Sequence, residues 1–242
     1  MSAAKVALVT GAGHRLGRHI ACGLAENGYD CVVHYHRAKA EAEETARQIR
    51  KRKRNVVLVR ADLATMDGIA TVVGAVREFT EYLHLLVNNA GVFPSAAFEQ
   101  VTPEIFDHAI NVNVRSAFFL SQQLLPLLRN ARGSSIINIA SAGAYQTWTN
   151  HIPYNISKAG LVMLTRALAK TLAPDIRVNA VAPGVIVVPG EPVRKELSPE
   201  RIPLRRHGLP DDIVKAVLYL AEDACYLTGH VLPVDGGIID IK

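Results

Sequence analysis

Short runs of β-branched and other apolar residues alternate with amphipathic segments along nearly the whole chain. The predicted strands are residues 5–10, 31–35, 56–60, 83–88, 135–139, 177–182 and 230–234. The predicted helices are residues 16–27, 38–53, 66–82, 103–129, 152–172 and 211–221. Strands that are apolar along their whole length, with helices between them, indicate a parallel sheet covered by helices on both faces. Because no repeat, linker or change in composition divides the sequence, we expect one α/β domain over residues 1–242.

The composition is that of a folded globular protein, with 49% hydrophobic and 20% charged residues. The three cysteines, Cys22, Cys31 and Cys225, stand singly in apolar segments, which predicts free thiols in a reducing compartment. The first residues lack the apolar core of a signal peptide, and no apolar run approaches the roughly 18 residues of a membrane span. We therefore expect a cytoplasmic protein without a membrane partner.

A net charge of +5 and an isoelectric point near 9.2 raise the question of nucleic-acid binding. Most of the excess comes from a basic run at residues 50–54, at the end of a polar, helix-like segment. Cations are favourable at a helix C-terminus, and no aromatic residues alternate with this run. We interpret the run as a solvated helix end and expect no nucleic-acid partner.

The turn at residues 10–17, TGAGHRLG, connects the first predicted strand to the first predicted helix. Small residues such as Gly11 let the backbone approach a pyrophosphate, which the N-terminus of a helix attracts. The glycine spacing differs from G-x-G-x-x-G, but the position between a strand and a helix predicts a dinucleotide site.

The end of the second predicted strand indicates which dinucleotide binds. NAD sites usually carry an acidic residue there, but this chain has His34-Tyr35-His36-Arg37 and no acid before Glu41. Arg37, together with Arg15 from the turn and with His36 as a further donor, is suited to a ribose 2′-phosphate. The prediction is therefore NADP(H). No third ligand is spaced to complete a metal site with His34 and His36, so no metal is expected.

Tyr154 and Lys158 stand four residues apart at the start of a predicted helix, which places them on one face. A phenol with a pKa of about 10 is a poor acid or base at neutral pH, and a neighbouring ammonium lowers that pKa. The pair could thus act as a general acid/base, and Ser141, which ends a strand-like run, could reach the same point. The same spacing also occurs on ordinary exposed helix faces, so its meaning depends on the rest of the chain.

Nearly the whole chain resembles the short-chain dehydrogenase/reductase family. The resembling motifs, in order, are the glycine turn, Asp62, Asn88-Asn89-Ala90-Gly91, Asn113, Ser141, Tyr154, Lys158, Pro183-Gly184 and Asp235-Gly236-Gly237. The resemblance implies a doubly wound, Rossmann-type three-layer fold with a seven-stranded parallel sheet. It also implies nicotinamide-dependent hydride transfer and, as in most members, a homotetramer.

The resemblance also implies roles for individual residues. The implied cofactor-binding residues are Gly11, Arg15, Leu16, His36, Arg37, Asp62, Asn89, Ala90, Gly91, Tyr154, Lys158, Pro183, Gly184 and Val185. The implied catalytic residues are Asn113, Ser141, Tyr154 and Lys158, with Ser141 and Tyr154 at the substrate oxygen. Asn113 would position a water beside Lys158. The alternative is that Asn113 is a mid-helix residue facing solvent, but its core-like neighbours favour a polar contact within the fold.

Within the family, several segments are similar to bacterial pteridine reductases: residues 15–17, 34–37 and 154–189. Phe93 matches the position at which those enzymes stack an aromatic ring on the pterin, although it could equally fill the core. Ser141 stands where protozoan pteridine reductases carry Asp, and in this it is like ketone reductases. Val188 stands at a position where many family members have Thr. Pteridine reductases also lack this Thr.

The predicted reaction is hydride transfer from NADPH to a C=N or C=O carbon of a small molecule, with Tyr154 as proton donor. The segment 185–209, rich in proline and charge, is the expected substrate lid. Three functions remain open: a pteridine or dihydropteridine reductase, a 3-oxoacyl-carrier-protein or other carbonyl reductase, and a non-catalytic NADP-binding regulator.

Overall fold

The computed structural model describes residues 4–190 and 198–240. Within these residues, seven strands form one parallel sheet in the order β3-β2-β1-β4-β5-β6-β7. The strands are β1 (Lys5–Val9), β2 (Tyr29–Tyr35), β3 (Val56–Arg60), β4 (Leu85–Asn88), β5 (Ser135–Ile139), β6 (Arg177–Pro183) and β7 (Val231–Val234). The order runs outward in both directions from β1 and β4, so the predicted doubly wound α/β fold is confirmed.

The helices lie on both faces of this sheet. They are α1 (Arg15–Glu26), α2 (Lys39–Lys51), α3 (Met66–Phe79), α4 (Pro103–Ile110), α5 (Ser116–Gln123), α6 (Leu125–Asn130), α7 (Ile152–Leu172) and α8 (Pro210–Leu218). Thr65 and Thr102 cap α3 and α4, since each side chain accepts a backbone N–H from the first turn. None of the helices in the described part of the chain is long and apolar enough to cross a bilayer.

The prediction of one helix over residues 103–129 is wrong. A π turn, Asn111–Arg115, separates α4 from α5, and a break at Leu124 separates α5 from α6. Pro126 explains the second break, because it has no N–H for the preceding turn. The π turn coincides with Asn113, whose side chain bonds to a neighbouring loop. The other predicted elements are present, with ends displaced by up to three residues.

The core consists of two apolar layers, one on each face of the sheet. Alternate residues of β1 divide between them: Ala7 and Val9 pack in the layer beneath α1 and α8, whereas Val6 and Leu8 face α3 and α5. A Cβ at Gly23 of α1 would lie 2.3 Å from Val214 Cγ1 of α8, so glycine permits the close approach of these helices. This three-layer packing brings the carboxyl ends of the strands together at one edge, where the order reverses between β1 and β4.

Candidate active site

A cavity of about 330 Å³ lies at the carboxyl edge of the sheet. Its lining residues are Arg15, Leu16, Asn89, Gly91, Val92, Phe93, Ile139, Ala140, Ser141, Tyr154, Lys158, Pro183, Gly184, Ile186 and Val188. The structure thus brings ten of the predicted site residues, from the glycine turn to the Tyr154–Lys158 pair, to one cavity.

Seven predicted residues do not line this cavity: Gly11, His36, Arg37, Asp62, Ala90, Asn113 and Val185. Gly11, within the glycine turn, lies close against Ala90, while His36 and Arg37 are exposed beyond the end of β2. His36 Nε2 is 3.9 Å from the carboxylate of Asp62, so these two lie together on the adenosine side of the predicted site.

Five lining residues were not among the predicted site residues: Val92, Ile139, Ala140, Ile186 and Val188, of which the last two lie in the predicted lid. All are apolar and carry no reactive group. The available signal was adjacency, because Val92 precedes Phe93, and Ile139 and Ala140 precede Ser141.

The glycine turn is tied to the end of β4. Thr10 Oγ1 accepts the backbone N–H groups of Asn89 and Ala90, both at 2.9 Å, and Asn89 Nδ2 donates to Thr10 O at 2.7 Å. Gly11 has a φ of +62°, and a Cβ there would lie 2.9 Å from Ala90 Cα. Arg15 has a φ of +50°, a rare conformation for a residue with a side chain and one that often marks functional sites.

The turn leads directly into helix α1. The His14 side chain at its N-cap makes no capping hydrogen bond, so the first-turn N–H groups can receive an anion. A Cβ at Gly17 would lie 2.2 Å from Gly11 O, so only glycine permits this close backbone packing. The narrow, uncapped turn fits the pyrophosphate of a dinucleotide.

Lys158 is buried, with 4% of its surface exposed, and its Nζ donates to the carbonyl of Ile139 at 2.8 Å. Burial lowers the pKa of Lys158 to about 8. The Nζ lies 5.8 Å from the centroid of the Tyr154 ring.

The pKa of Tyr154 differs from the sequence expectation. Burial raises the pKa of its phenol above the usual value, and a hydrogen bond with the Ser141 side chain opposes that rise. The pKa of Tyr154 is thus raised in this structure and not lowered as the sequence predicted, because burial dominates and Lys158 Nζ is directed at a backbone carbonyl. A phenol with a raised pKa keeps its proton at neutral pH, as a proton donor must.

Asn113 makes the internal polar contacts that its neighbours predicted, and the solvent-facing alternative is wrong. Its Oδ1 accepts the N–H of Val92 at 2.8 Å, and its Nδ2 donates to Val92 O and Ser157 Oγ at 3.0 and 2.8 Å. A Cβ at Gly91 would lie 3.3 Å from Asn113 Oδ1 and 3.6 Å from Lys158 Nζ, so glycine keeps the space beside the lysine open.

Phe93 lines the cavity and is 42% exposed, so the core-filling alternative is wrong. The His151 ring stacks on the Phe93 ring, with centroids 3.9 Å apart and an interplanar angle of 14°. The Tyr154 ring packs edge-to-face against Phe93, with centroids 4.5 Å apart and an interplanar angle of 85°. The Trp148 ring lies parallel to the Tyr154 ring, with centroids 6.0 Å apart. The phenol of Tyr154 therefore stands within a group of aromatic rings.

The predicted lid, residues 185–209, is described at both ends, and its residues 191–197 lie outside the described part of the chain. Gly208 pairs with the chain before the gap: its N–H donates to Val185 O and its carbonyl accepts from Val187, both at 2.9 Å. Ile186 and Val188 face the cavity. Among residues 4–190 and 198–240, no group of three or more His, Cys, Asp or Glu residues could hold a metal ion.

The sequence and structure match known proteins over almost their full length. The model of a family described as enoyl-(acyl carrier protein) reductase matches residues 11–239. A granaticin polyketide synthase protein of Streptomyces violaceoruber, named as a ketoacyl reductase, is 36% identical over 97% of this chain and 96% of its own. The 3-oxoacyl-[acyl-carrier-protein] reductase of Staphylococcus aureus is 34% identical over 98% of this chain and 99% of its own.

Among solved structures, the angucycline C-6 ketoreductase LanV with bound NADP superposes with a TM-score of 0.89 at 33% identity. The superposition covers 97% of this chain and 95% of LanV. Together with the preceding matches, this identifies the chain as an oxidoreductase of the short-chain dehydrogenase/reductase family.

Proposed function

We propose that this protein is an NADPH-dependent ketone reductase, of the 3-oxoacyl or polyketide type. The observation that carries the proposal is that Ser141, Tyr154 and Lys158 line the same cavity at the carboxyl edge of the sheet. Two hydroxyl donors at one point suit a carbonyl oxygen that gains negative charge during reduction. The ketoacyl and ketone reductases among its relatives support the same reaction.

We propose NADPH as the cofactor. The glycine turn, Asn89 and Gly91 would hold its diphosphate and adjoining ribose, and Lys158 the nicotinamide ribose. Arg15, Arg37 and His36 would bind the 2′-phosphate, and Asp62 the adenine. When bound, NADPH supplies the hydride that reduces the carbonyl carbon.

The remaining steps belong to the protein. Tyr154, whose pKa is raised by burial, holds a proton and gives it to the substrate oxygen. Ser141 donates a hydrogen bond to the same oxygen. Lys158, with a pKa of about 8, is mostly charged at neutral pH and stabilises the phenolate that remains. Asn113, through Ser157, fixes the turn of α7 that carries Lys158 and is the proposed site for a water beside it.

A pteridine reductase is the second candidate, and Phe93 is the observation that favours it. One face of this ring is backed by His151, and the ring borders the cavity, where a flat heterocycle could stack on it. Ser141 favours a ketone reductase, because pteridine reductases of the protozoan type have the carboxyl group of Asp at this position and not a hydroxyl.

We also propose that the protein is a homotetramer. Phe118 of α5 and Ile156 and Met163 of α7 expose 40%, 46% and 61% of their surfaces, an apolar area that a second copy would cover. Light scattering after gel filtration would measure the mass. Met163→Glu should dissociate the assembly, whereas Lys170→Glu, an exposed change on the same helix, should not.

The segment 185–209 is proposed as the substrate lid, on the basis of Ile186 and Val188 near its N-terminal end, which line the cavity. If it closes over the substrate, Ile186→Ala should raise KM for the ketone and leave NADPH affinity unchanged. An unchanged KM would contradict that role.

The decisive experiment is a turnover panel with the purified protein and NADPH. The substrates are a 3-oxoacyl thioester, a bicyclic aromatic ketone, dihydrobiopterin and folate, followed through the loss of NADPH absorbance. We expect the highest kcat/KM with one of the ketones. A preference for the pterins would instead establish the second candidate. Tight NADPH binding with no turnover of any of them would indicate a non-catalytic regulator.

A further inference from the structure

His34 is a polar side chain of β2 with 2% of its surface exposed, and the catalytic chemistry does not use it. Its Nδ1 lies 3.1 Å from the backbone nitrogen of Gly11, and its Nε2 lies 3.1 Å from the carbonyl oxygen of Ala61. A backbone N–H only donates and a carbonyl only accepts, so Nδ1 is the acceptor and Nε2 carries the proton. The ring is therefore a neutral imidazole fixed in one tautomer.

The two partners of this ring belong to different segments of the site. Gly11 follows β1 and begins the glycine turn, whereas Ala61 follows β3 and directly precedes Asp62. Because β2 lies between β1 and β3, the imidazole connects segments on strands that are about 10 Å apart. It thus links the proposed pyrophosphate turn to the proposed adenine contact.

Backbone hydrogen bonds join each of the two segments to β2 but not to each other. Ala12 N–H donates to His34 O at 2.8 Å, and Ala61 N–H donates to Tyr35 O at 3.1 Å. The imidazole side chain adds one further hydrogen bond to each segment. The positions of the two segments are therefore coupled through a single rigid ring. An aliphatic residue in its place would leave the Gly11 N–H and the Ala61 carbonyl without these partners.

The ring is also suited to a fixed distance because it does not change charge near neutral pH. Burial lowers the pKa of His34 to about 4. A proton on Nδ1 would place two N–H donors against each other at Gly11, so the neutral form is the one that holds the turn.

We propose that His34 is a positioning residue that sets the separation between the glycine turn and the Asp62 segment, and thereby the affinity for the adenosine half of NADPH. This assignment rests on the proposed use of NADPH. It concerns only the half of the cofactor that is remote from the reacting carbonyl, so the chemistry at Tyr154 should not depend on it.

The test uses two substitutions that remove the contacts in steps. In Asn, Oδ1 is attached at the same atom as Nδ1 of His, so His34→Asn keeps an acceptor for Gly11 but cannot reach Ala61. His34→Leu loses both bonds at similar volume. Val32→Ala is the control, since Val32 is buried on the same strand and face but makes no polar contact with either segment.

Affinity is measured by calorimetry with 2′,5′-ADP, which carries the adenosine and the 2′-phosphate but no nicotinamide, and stability by the Tm of the unliganded protein. We expect His34→Leu to weaken 2′,5′-ADP binding by at least about tenfold, the worth of losing one or two hydrogen bonds, and His34→Asn by less. Val32→Ala should lower Tm and leave this affinity within about twofold of the unmodified protein. With saturating NADPH, kcat should be unchanged in all three.

The outcomes separate the two levels of the proposal. If His34→Asn binds 2′,5′-ADP as tightly as the unmodified protein, while its Tm falls as in Val32→Ala, His34 has only a structural role and the assignment is overturned. This holds even if His34→Leu does not fold. If the unmodified protein binds neither 2′,5′-ADP nor NADPH, the proposed function itself fails, and the assignment with it.

Discussion

The catalytic end of the candidate site is buried and tied to the fold, whereas the adenosine end is exposed. Lys158 and Asn113 expose 4% and 2% of their surfaces, and both are held by backbone groups. His36 and Arg37, at the other end, are exposed. Groups that stabilise a transition state must be oriented before the reaction begins, and burial provides this orientation. Exposed cations can provide affinity and discriminate between cofactors without such precise orientation. Because they are exposed, salt screens their attraction to the cofactor phosphate.

The largest effect should come from the catalytic end, through Tyr154→Phe. This change removes the proposed proton donor and keeps the ring that contacts Phe93. We expect kcat to fall by about two to four orders of magnitude, the usual worth of general acid catalysis, with the NADPH Kd nearly unchanged. Tyr226→Phe, on the exposed surface, is the matched control and should have no effect. Retention of most activity by Tyr154→Phe would refute the proposed role.

Lys158→Ala should differ from Tyr154→Phe by lowering NADPH affinity as well as turnover. The ammonium is proposed to support the phenol and to hold the nicotinamide ribose, so turnover and NADPH affinity should fall together. Steady-state kinetics and a direct binding measurement test this. Normal NADPH binding by Lys158→Ala would show that the ribose role is wrong.

Ser141 should have the next largest effect. Losing one donor to a developing oxyanion typically costs about a hundredfold in kcat, so Ser141→Ala should lose about that much on a ketone. Ser141 Oγ also accepts the N–H of Gly143 at 3.0 Å, so Tm should be measured to separate this cap, worth about 1 kcal/mol, from the chemistry.

Ser141→Asp distinguishes the two substrate classes. If the enzyme reduces pterins, this variant should keep or improve pterin turnover, and loss of that activity would count against the second candidate. Activities of both Ser141 variants on a ketone and on a pterin complete the test.

The adenosine end should show a smaller and selective effect in Arg37→Ala. Losing a charged hydrogen-bond partner should weaken NADPH binding by roughly ten- to a hundredfold and leave NADH binding almost unchanged, since NADH has no 2′-phosphate. The preference for NADPH should also decline as salt rises. Arg50→Ala, an exposed change of equal charge at the other end of α2, is the control. Equal turnover of the unmodified protein with NADH and NADPH would contradict the role of these cations.

The sequence predicted the sheet, which the structure confirms, and it proposed catalytic residues, which stay predictions; each rests on its own physical reason. Strands buried on both faces must be apolar throughout, as in residues 31–35, and proton transfer requires particular side chains such as Tyr154. The π turn at Asn113 was not predicted, and it coincides with a bond from the Asn113 side chain to Val92, in a loop 21 residues earlier in the sequence. A helical pattern alone does not contain that bond.

The electrostatics of the site were also beyond the sequence. The Tyr154–Lys158 spacing predicts proximity, but not that the Lys158 ammonium is directed at the Ile139 carbonyl. In the same way, His34 and His36 look alike in the sequence, although one is buried and the other exposed. Burial depends on which neighbouring segments cover a side chain, and only the folded structure determines this.

The smallest expected effect concerns the pH dependence of stability at the adenosine end. The pKa of His34 is lowered from 6.5 to about 4 by burial, so the unfolded chain binds a proton that the folded protein does not over this range. Stability from this group is therefore fully present above the unfolded pKa and declines as the pH falls from 6.5 toward 4.

Between pH 7 and pH 5.5 this decline should amount to about 1 kcal/mol in the free energy of unfolding. His34→Asn cannot titrate, so its stability relative to the unmodified protein should improve by that amount over the interval. The carboxylates titrate equally in both proteins and cancel in the difference. Urea unfolding at several pH values measures it, with Val32→Ala as the control whose difference should not depend on pH. A pH-independent difference for His34→Asn would show that the imidazole is not held neutral, and would remove the electrostatic basis for its fixed contacts with Gly11 and Ala61.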